Sequence, residues 1–489
     1  MNFFGLLSNN EINLSKAAVL YRNEVYDYES LYGKILSAVS FLKDKGVNKD
    51  DKVALLGNNE PSFIISIFAL WKLQAVPVPI NYRLLKDEIN TQISFAECKY
   101  LLYDAVYDNL IPNIGIRSSK LEDIINLPAL PVKGFLLNPD PAQPALILFT
   151  SGSTGFSKAV VLSFNNLIKS AETGNSFFRH TFEDTWLAAL PFYHIGGFSV
   201  ITRSFLYGTA LALPANTGHK DLKNAFYTHN PSLSALVTTQ LKRLLDENTK
   251  PNPRLRHVLL GGGFIDPDLV RKAFKNGWNV SKSFGATETS SFVSVLTKED
   301  FFRKPGSAGK ALPPNKIRIV DEAKDILSEG VSGEIVIEGE SVAVGYLNNK
   351  IETEKKFEVN VFYTGDYGYL DPDGYLYIEA RRSDLIISGG ENINPNEVER
   401  IIAAHPDVKE AFIFGTEDEE WGNIICAAVV LKEKKQLTLE DLKSFIGHKL
   451  PAYKHPKKIY ILDGFPKTEL GKIQKEKLKE KIIKINHSR

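Results

Sequence analysis

The 489-residue sequence contains only two cysteines, Cys98 and Cys426, and both lie in apolar segments. Two such cysteines are too few for a disulfide framework or a metal cluster, so we expect buried structural thiols. An excess of one charge is also lacking, because 59 basic and 58 acidic residues give a net charge of +1. This balance gives no indication of a nucleic-acid-binding surface.

Long apolar runs are absent as well, and no segment reaches the roughly 18 residues that a membrane-spanning helix needs. The N-terminal segment, MNFFGLLSNNE, has no basic region followed by a longer apolar one, so no signal peptide is predicted. We therefore expect a cytoplasmic protein without a transmembrane segment. The sequence makes no prediction about its oligomeric state.

Strand-like and helix-like patterns alternate from about residue 50 to residue 290, which predicts α/β layers with mostly parallel sheets. Between about residues 305 and 380, polar and apolar residues alternate, as expected of half-buried antiparallel strands. Residues 385–489 have a helix and strand pattern of their own. The predicted fold class is thus α/β, with a large N-terminal domain (residues 1–382) of two αβ-layered subdomains and a small β-rich subdomain. A small α+β domain (residues 383–489) follows.

Residues 146–162, LILFTSGSTGFSKAVVL, are predicted to form two strands joined by a tight loop. Glycines allow close backbone approach to an anion, hydroxyl and backbone N–H groups donate to its oxygens, and lysine supplies charge. The spacing is not that of a Walker A motif, in which four residues separate the glycines and Gly-Lys-Ser/Thr opens a helix. A Ser/Gly-rich surface turn is the alternative interpretation. The candidate phosphate-binding residues are Thr150, Ser151, Gly152, Ser153, Thr154, Gly155 and Lys158.

A second candidate segment, SFGATET at residues 283–289, follows a predicted strand. Phe284 has a ring that can face a nucleotide base, Thr287 has a hydroxyl for a phosphate, and Glu288 has oxygens for Mg²⁺. In parallel α/β sheets, ligands bind outside the carboxyl ends of the strands, where this segment is predicted to lie. An ordinary strand-to-helix loop with a capping threonine explains the segment equally well.

Three further segments carry single candidate residues. Asp366, in YTGD, can accept hydrogen bonds from a ribose diol, and Arg381 can bind a phosphate or a ribose. Gly389 and Gly390 allow a narrow ligand to approach the backbone. Lys472, on the loop PKTELGK, can stabilise developing negative charge. Each also has an ordinary explanation, as a turn aspartate, a surface arginine, a glycine turn or a solvated lysine.

His194 lies between aromatic residues and glycines in LPFYHIGG. It is either a buried, hydrogen-bonded core histidine or a catalytic residue. The sequence has no Gly-x-Ser-x-Gly motif for a histidine to serve, so a hydrolase triad of that type is disfavoured.

In their order along the chain, these motifs resemble those of the adenylate-forming superfamily of acyl-CoA synthetases, carrier-protein adenylation domains and luciferases. The resemblance extends from about residue 28 to about residue 478. TSGSTGFSK resembles the phosphate loop TSG-S/T-TG-x-PK-G, with Ser157 in place of proline and Ala159 in place of glycine. SFGATET resembles Y-G-x-T-E, with Phe284 for tyrosine, and YTGD and PKTELGK match. EARRSD resembles G-R-x-K-D, with Ala380 for glycine and Ser383 at the usual hinge position.

The resemblance implies an ATP-dependent, AMP-forming acid–thiol ligase that uses Mg²⁺ and CoA. A carboxylate would attack the α-phosphate of ATP and expel pyrophosphate, and the CoA thiol would then attack the acyl-adenylate and release AMP. The resemblance also implies that residues 383–489 form a mobile domain that rotates about Ser383 and Asp384. The candidate site residues are then Lys472, Thr287, Glu288 and His194 as catalytic residues, Glu288 also as the metal ligand, and Thr150, Ser151, Gly152, Ser153, Thr154, Gly155, Lys158, Gly263, Phe284, Gly285, Asp366, Arg381, Gly389 and Gly390 as nucleotide- and cofactor-binding residues.

Within the superfamily, LPFYHIGGFS, HVLLGGGFIDPDLV and RRSDLIISGGENI resemble the ligases that join o-succinylbenzoate to CoA in menaquinone biosynthesis. This resemblance implies an aromatic dicarboxylate substrate. Its second carboxylate needs a cation or several hydrogen-bond donors. The alternatives are another aromatic or medium-chain acyl-CoA ligase, a stand-alone adenylation enzyme for a carrier protein, and a binding protein without catalysis. The candidates for the second carboxylate, by position alone, are Arg203, Thr238, Thr239 and Ser291.

Overall fold

The computed structural model describes residues 14–111, 115–132, 139–150, 158–216, 218–262, 265–381, 386–388, 391–393, 395–418, 422–433, 435–447, 449–450, 452–468 and 473–487. Two compact units divide the chain. The first contains Met1–Ile317 and Val336–Tyr363, and the second contains Arg318–Ile335 and Thr364–Arg489. The predicted domain limit at residues 382 and 383 stays a prediction, because it lies outside the described residues.

Short strands and helices alternate through the first half of the chain. The first elements are β1 (Ala17–Tyr21), β2 (Glu24–Asp27), α1 (Tyr28–Asp44), β3 (Lys52–Leu56), α2 (Pro61–Lys72), β4 (Val76–Pro79), α3 (Lys86–Phe95), β5 (Tyr100–Tyr103), a 3₁₀ helix (Ala105–Leu110), β6 (Arg117–Lys120) and α4 (Leu121–Ile125). They are followed by β7 (Pro144–Thr150), β8 (Lys158–Ser163), α5 (Phe164–Phe178), β9 (Thr185–Leu187), α6 (Ile195–Tyr207), β10 (Ala210–Leu213), α7 (His219–Thr228), β11 (Leu233–Val237) and α8 (Thr238–Asp246).

Strands become more frequent in the second half of the chain. Its first elements are β12 (His257–Gly261), α9 (Pro267–Lys275), β13 (Val280–Ala286), a 3₁₀ helix (Thr287–Thr289), β14 (Ser291–Leu296), α10 (Lys298–Arg303), β15 (Lys310–Ala311), β16 (Lys316–Val320), β17 (Gly333–Glu338), β18 (Gly345–Tyr346), α11 (Lys350–Lys356), β19 (Phe357–Glu358), β20 (Val361–Leu370) and β21 (Leu376–Arg381). The last elements are β22 (Ile386–Ser388), β23 (Glu391–Ile393), α12 (Pro395–Ala403), β24 (Val408–Asp418), β25 (Gly422–Leu431), α13 (Leu439–Ile446), a 3₁₀ helix (Ala452–Lys454), β26 (Lys458–Ile461) and α14 (Lys475–His487).

A nine-stranded sheet has the order β15-β14-β13-β12-β11-β9-β10-β1-β2. Its six central strands, β13 to β1 in this order, are parallel, and the edge strands β15, β14 and β2 are antiparallel. Strands β10 and β11 are buried at every position, as expected where helices cover both faces of a parallel sheet. Their sequences, ALAL and LSALV, are accordingly apolar except for Ser234, which is buried as well.

A second parallel sheet has the order β4-β3-β5-β6. Helix α2 belongs to the same αβ layers as this sheet. It is buried at every residue except its last, which explains why its sequence, PSFIISIFALWK, is mostly apolar. Proline at its first position is compatible with a helix start, because that N–H has no partner within the helix. The two sheets confirm the predicted αβ layers.

Strands β7 and β8 form an antiparallel hairpin, and β18 adds to the free edge of β8. Thr150 at the end of β7 is the register partner of Lys158 at the start of β8. The predicted strand, loop and strand are therefore confirmed at both ends of the loop. Residues 151–157 themselves lie outside the described residues.

Antiparallel strands also dominate residues 316–381, as predicted, in a sheet of order β16-β17-β20-β19 with β21 beside β20. The C-terminal part of the second unit has its own sheet, β24-β25-β26. Helices α12 and α13 contribute to the core on one side of that sheet, and α14 contributes to the core on the other. Among the helices that the structure describes, none combines the length and apolar character needed to cross a membrane.

Candidate active site

The carboxyl ends of β9, β11, β12 and β13 lie side by side in the nine-stranded sheet. Because these strands are parallel, the segments that follow them meet at one edge, where ligands of α/β proteins bind. This edge brings together the segment leading to His194, the start of α8 at Thr238, Gly262 after β12, and Phe284 near the end of β13. Gly263 lies outside the described residues.

The turn after β13 is held in one conformation by close backbone contacts. A Cβ on Gly285 would lie 2.1 Å from the carbonyl oxygen of Ser291, so no other residue fits at this position. Ser290 and Ser291 have φ angles of 57° and 121°, which L-residues rarely adopt. The Thr289 hydroxyl donates to the Ser291 carbonyl oxygen at 2.7 Å. This strained turn sets the position of Glu288.

Glu288 is partly exposed, and its Oε1 accepts a hydrogen bond of 2.9 Å from the Tyr346 hydroxyl. Within the described part of the chain, its other carboxylate oxygen makes no hydrogen bond. Mg²⁺ prefers oxygen ligands and is usually bound by one or two carboxylates together with substrate phosphates. One available carboxylate oxygen fits such a site. The described residues contain no group of three or more His, Cys, Asp or Glu side chains that could hold a metal ion, so Glu288 would share a bound Mg²⁺ with phosphate or water oxygens.

Lys158 has two partners in the first unit. Its Nζ lies 2.7 Å from Glu352 Oε1 and 4.9 Å from the centroid of the Tyr346 ring. Burial raises the pKa of Glu352, but the hydrogen bond from Lys158 and the nearby lysine charges outweigh it and lower this pKa. Thr150 donates its hydroxyl to the Lys158 carbonyl oxygen at 3.3 Å. The other candidate phosphate-binding residues, 151–155, lie outside the described residues.

Tyr346 and Glu352 were not predicted from the sequence as site residues. A local signal does exist for the helix that carries Glu352, because Asn349 caps α11 by accepting a hydrogen bond of 3.1 Å from the Glu352 N–H. Asparagine followed three residues later by glutamate is a typical helix start. That signal locates the helix but not the contact with Lys158, which is 194 residues away in the chain.

His194 directly precedes α6 and is partly exposed, so it is not a fully buried core histidine. Its ring centroid lies 4.6 Å from that of Tyr193. Tyr193 packs against Tyr82, which stacks on Tyr107 with a centroid distance of 5.0 Å. His194 thus lies at the end of an aromatic cluster at the edge of the sheet, and its catalytic role stays a prediction.

Arg203, on α6, is only 1% exposed. Its guanidinium lies 4.6 Å from the centroid of the Phe292 ring. Among the described residues, Nε and Nη2 have no hydrogen-bond partner. Burial lowers the pKa of Arg203 to about 9, so the group is still charged at neutral pH. Buried charges are normally paired with an opposite charge, and this one lacks such a pair in the described part of the chain.

The ionisable groups that interact with Arg203, His180 and Tyr207, do not neutralise it, and Asp184, which interacts with His180, is paired elsewhere. His180 accepts a hydrogen bond from Trp186 Nε1 at Nε2, and its Nδ1 lies 2.8 Å from Asn175 Oδ1, so the ring is neutral. Burial, followed by the charge of Arg203, lowers the pKa of His180 to about 3. The carboxylate of Asp184 is bound by the guanidinium of another residue, Arg256, at 2.6 and 2.9 Å.

The other candidates for a second carboxylate are hydroxyl groups near the same edge of the sheet. Ser291 Oγ lies 3.3 Å from Ser199 Oγ, and Ser199 lies one helical turn before Arg203 on the same face of α6. Thr238 and Thr239 begin α8 and are partly exposed. The structure therefore brings Ser291 towards the Arg203 face, as the positional prediction requires.

In the second unit, Asp366 and Arg381 are register partners in the β20–β21 ladder, so their backbones lie directly opposite each other. The Asp366 N–H donates to Thr364 Oγ1 at 2.9 Å. Gly365 has a φ angle of 78°, which favours glycine at this turn. The shared ribose contact of Asp366 and Arg381 stays a prediction. The remaining candidates, Gly389, Gly390 and Lys472, and the predicted hinge residue Ser383, lie outside the described residues.

Comparisons with known proteins agree with this arrangement. Residues 9–347 match the AMP-binding enzyme family, and residues 397–472 match the C-terminal domain of AMP-binding enzymes. The chain therefore belongs to the AMP-binding enzyme family, which confirms the predicted adenylate-forming superfamily.

Particular members of that family are similar over nearly the whole chain. The 2-succinylbenzoate–CoA ligase of Listeria monocytogenes serotype 4b (strain F2365) is 38% identical over 93% of this chain and 94% of its own. Two solved structures of o-succinylbenzoate CoA synthetase from Bacillus subtilis are each 30% identical. The complex with the acyl-adenylate intermediate OSB-AMP has a TM-score of 0.89 and covers 98% of each chain. The complex with ATP and magnesium ion has a TM-score of 0.87 and covers 98% of this chain and 99% of its own.

Proposed function

We propose that this chain is an ATP-dependent, AMP-forming o-succinylbenzoate–CoA ligase of menaquinone biosynthesis. The observation that carries the proposal is the similarity of nearly the full chain to relatives named 2-succinylbenzoate–CoA ligase. The buried, unpaired charge of Arg203 supports a substrate with two carboxylates. We also propose a cytoplasmic location, with ATP, CoA and the aromatic acid as small-molecule partners.

In the proposed reaction, one carboxylate of the substrate attacks the α-phosphate of ATP, and pyrophosphate leaves. The CoA thiol then attacks the acyl carbonyl, and AMP leaves. Negative charge grows on the phosphate oxygens in the first step, so fixed cations aimed at those oxygens lower the barrier. Lys158 and Lys472 would supply them, and Thr287 would donate a hydrogen bond. Glu288 would hold Mg²⁺, which adds positive charge at the phosphates when bound.

The remaining candidates would bind the other parts of the substrates. Phe284 would face the adenine base, and the glycines at 285 and 263 would line the nucleotide and acyl sites. Asp366 and Arg381 would contact the ribose. Gly389 and Gly390 would approach the pantetheine, and His194 would lie beside the reacting carboxylate. This proposal keeps the mobile C-terminal domain, residues 383–489, as the part that carries Lys472.

We propose that Arg203 binds the carboxylate that does not react. A charge-assisted hydrogen bond between guanidinium and carboxylate is stronger than a neutral one, and burial strengthens it further. Nε and Nη2 are the two nitrogens that a carboxylate would engage in a bidentate pair. The substrate would then complete an ion pair that the described protein residues leave open.

Pyrophosphate release tests the proposal, with ATP, Mg²⁺ and a panel of acids, each with and without CoA. The panel contains o-succinylbenzoate and its two monocarboxylate analogues, 4-oxo-4-phenylbutanoate and 2-butanoylbenzoate, with benzoate and fatty acids of several lengths. We expect kcat/KM to be highest for o-succinylbenzoate, with a CoA thioester as product. Preferred turnover of a monocarboxylate would contradict o-succinylbenzoate as the proposed substrate. Pyrophosphate release without transfer of the acyl group to CoA would favour an adenylation enzyme for a carrier protein.

Arg203→Met tests the second carboxylate contact. We expect kcat/KM for o-succinylbenzoate to fall about 100-fold, because a buried carboxylate loses its charged partner. The rate for whichever monocarboxylate analogue is turned over should change by less than about threefold, since that acid has no second carboxylate to bind. An equal loss for both acids would show that Arg203 does not distinguish them.

A further inference from the structure

One side chain in the first unit touches both charged groups that the proposed reaction places at the phosphates. The Tyr346 hydroxyl donates to Glu288 Oε1 at 2.9 Å. The face of the same ring lies 4.9 Å from Lys158 Nζ. A ring face attracts a cation because its quadrupole is negative there, while the hydroxyl at the ring edge binds an anion. Tyr346 therefore contacts both the anion Glu288, through its hydroxyl, and the cation Lys158, through its ring face.

Glu352 completes this network from the other side of Lys158. Its Oε1 lies 2.7 Å from Lys158 Nζ, and the side chains of both residues are 23% exposed. A lysine ammonium carries three N–H donors. Among the described residues, Glu352 uses one donor and the ring of Tyr346 covers another direction, which leaves a third donor for a phosphate oxygen.

The backbone around Tyr346 and Glu352 is itself fixed. Tyr346 pairs with Val160 in the β18–β8 ladder, and the next residue, Leu347, donates its N–H to the Ala159 carbonyl oxygen at 2.8 Å. The Thr353 hydroxyl accepts a hydrogen bond of 2.9 Å from the Tyr346 N–H. Strand β18 and the start of helix α11 are thereby tied to the strand that begins with Lys158.

We propose that Tyr346 and Glu352 are positioning residues for nucleotide binding: Tyr346 orients Glu288 towards the metal, and Glu352 orients Lys158 towards the phosphates. This inference rests on the proposed function only in that it requires ATP as a ligand. It does not depend on which acid is activated. Neither residue contacts the reacting atoms, so both act through the group that they hold.

Calorimetric titration of the full chain with ATP, in Mg²⁺ and in EDTA, separates the two roles. For Tyr346→Phe, we expect ATP affinity in Mg²⁺ to fall about tenfold, because Glu288 loses a hydrogen bond to its charged group. Affinity in EDTA should stay within about twofold, since the ring that faces Lys158 is kept. For Glu352→Gln, we expect ATP affinity to fall about fivefold in both media, because glutamine keeps the shape of the side chain but removes the charge that holds Lys158.

Two matched variants control for simple loss of a contact. The Tyr21 hydroxyl donates to Glu60 Oε1 at 2.9 Å, the same distance as at Tyr346, so Tyr21→Phe removes an equivalent bond elsewhere. Lys272 and Asp246 form a pair of 2.7 Å that matches the one at Lys158, so Asp246→Asn removes an equivalent charge. We expect both controls to bind ATP like the unchanged protein in Mg²⁺ and in EDTA.

The steady-state rate of pyrophosphate release gives a second readout. Tyr346→Phe should raise the Mg²⁺ concentration for half-maximal rate about tenfold while kcat at saturating Mg²⁺ changes less than about twofold. If the variants bind ATP like their controls, the positioning roles are wrong and the proposed ligase activity stands. Tighter ATP binding by Glu352→Gln would also overturn the inference, because Glu352 would then compete with phosphate. If the protein without substitutions binds no ATP, both the inference and the proposed function are wrong.

Discussion

At the scale of single residues, the proposed binding group Arg203 is expected to work against the stability of the protein. Its side chain is almost fully buried, and among the described residues two of its nitrogens have no hydrogen-bond partner. Moving an arginine charge out of water costs free energy, and the Phe292 ring offsets part of that cost in the described structure. In the proposed function, a substrate carboxylate would offset the rest.

We therefore expect Arg203→Met to raise stability while it lowers activity. Methionine has a similar length and no charge, so the free energy of unfolding should rise by about 1–2 kcal/mol. Thermal unfolding of the ligand-free proteins measures this change. A lower melting temperature in the variant would show that the cation–π contact with Phe292 outweighs the desolvation of the charge. If the variant loses activity but is not more stable, Arg203 contributes to activity without lowering the stability of the protein.

At the scale of helices and strands, Glu399 joins α12 to β24 in the second unit. It accepts a hydrogen bond of 3.2 Å from the Ile413 N–H on the edge strand of the sheet. Burial raises the pKa of Glu399 to about 7, although the Ile413 N–H and Lys475 act to lower it. The folded state thus binds a proton between pH 4.5 and 7 that the unfolded chain has released. This residue makes stability fall as pH rises through that range.

Glu399→Gln should remove this pH dependence. Glutamine keeps an oxygen for the Ile413 N–H and has no charge to desolvate. We therefore expect the free energy of unfolding to be unchanged at about pH 4.5 and to rise by about 2 kcal/mol above about pH 7. Melting temperatures at about pH 5 and about pH 8 check the prediction. Glu397→Gln is the control on the same helix, because Glu397 pairs with Lys454 at 2.6 Å and should not gain stability at high pH. A shift of equal size at both pH values would refute the role of Glu399.

Arg256, the residue before β12, makes a different kind of contact, because it binds Asp184, the residue before β9. Burial alone would raise the pKa of Asp184, but the hydrogen bonds from Arg256, Ser232 and the Thr181 N–H hold it at about 2. This stability is present above pH 3.8, the ordinary value of the carboxyl group, and is lost as pH falls through about 2. We expect Arg256→Gln to lower the free energy of unfolding at neutral pH by about 3 kcal/mol, because it leaves a buried carboxylate unpaired. Denaturant unfolding measures this loss, and a change below about 1 kcal/mol would contradict it.

Much of the fold follows from local sequence pattern, whereas several site contacts do not. Buried runs such as β10 and β11 and the proline at the start of α2 identify their elements directly. The contact between Lys158 and Glu352 and the pairing of Tyr346 with β8 join segments that lie far apart in the chain. A local pattern contains no information on such register. Burial of Arg203 is equally hidden, because its helix sequence does not indicate which face lacks an acidic partner.

At the scale of the whole molecule, the scarcity of cysteine has a measurable consequence. Burial raises the pKa of Cys98 to about 12 and also raises the pKa of Cys426. At about pH 8, the thiolate fraction of Cys98 is on the order of 10⁻⁴, and the thiolate is the reactive form. We expect iodoacetamide at this pH to leave ATP binding and pyrophosphate release unchanged. Cys426 is buried as the sequence predicts, whereas Cys98 is only partly buried. Mass spectrometry should find both cysteines alkylated only in denatured protein, and rapid labelling of the native chain would contradict this expectation.

The hairpin of β7 and β8 has a consequence for substitutions in the segment that joins its strands. Lys158 is the last rung of the β7–β8 ladder, where it pairs with Thr150, and β18 joins the same strand further on, at Val160 and Val161. Backbone pairing therefore determines the position of Lys158. Changes inside the intervening segment, such as serine at position 157 where the family motif has proline, leave that rung in place. We therefore expect substitutions in this segment to leave the positive charge of Lys158 in its position in the sheet.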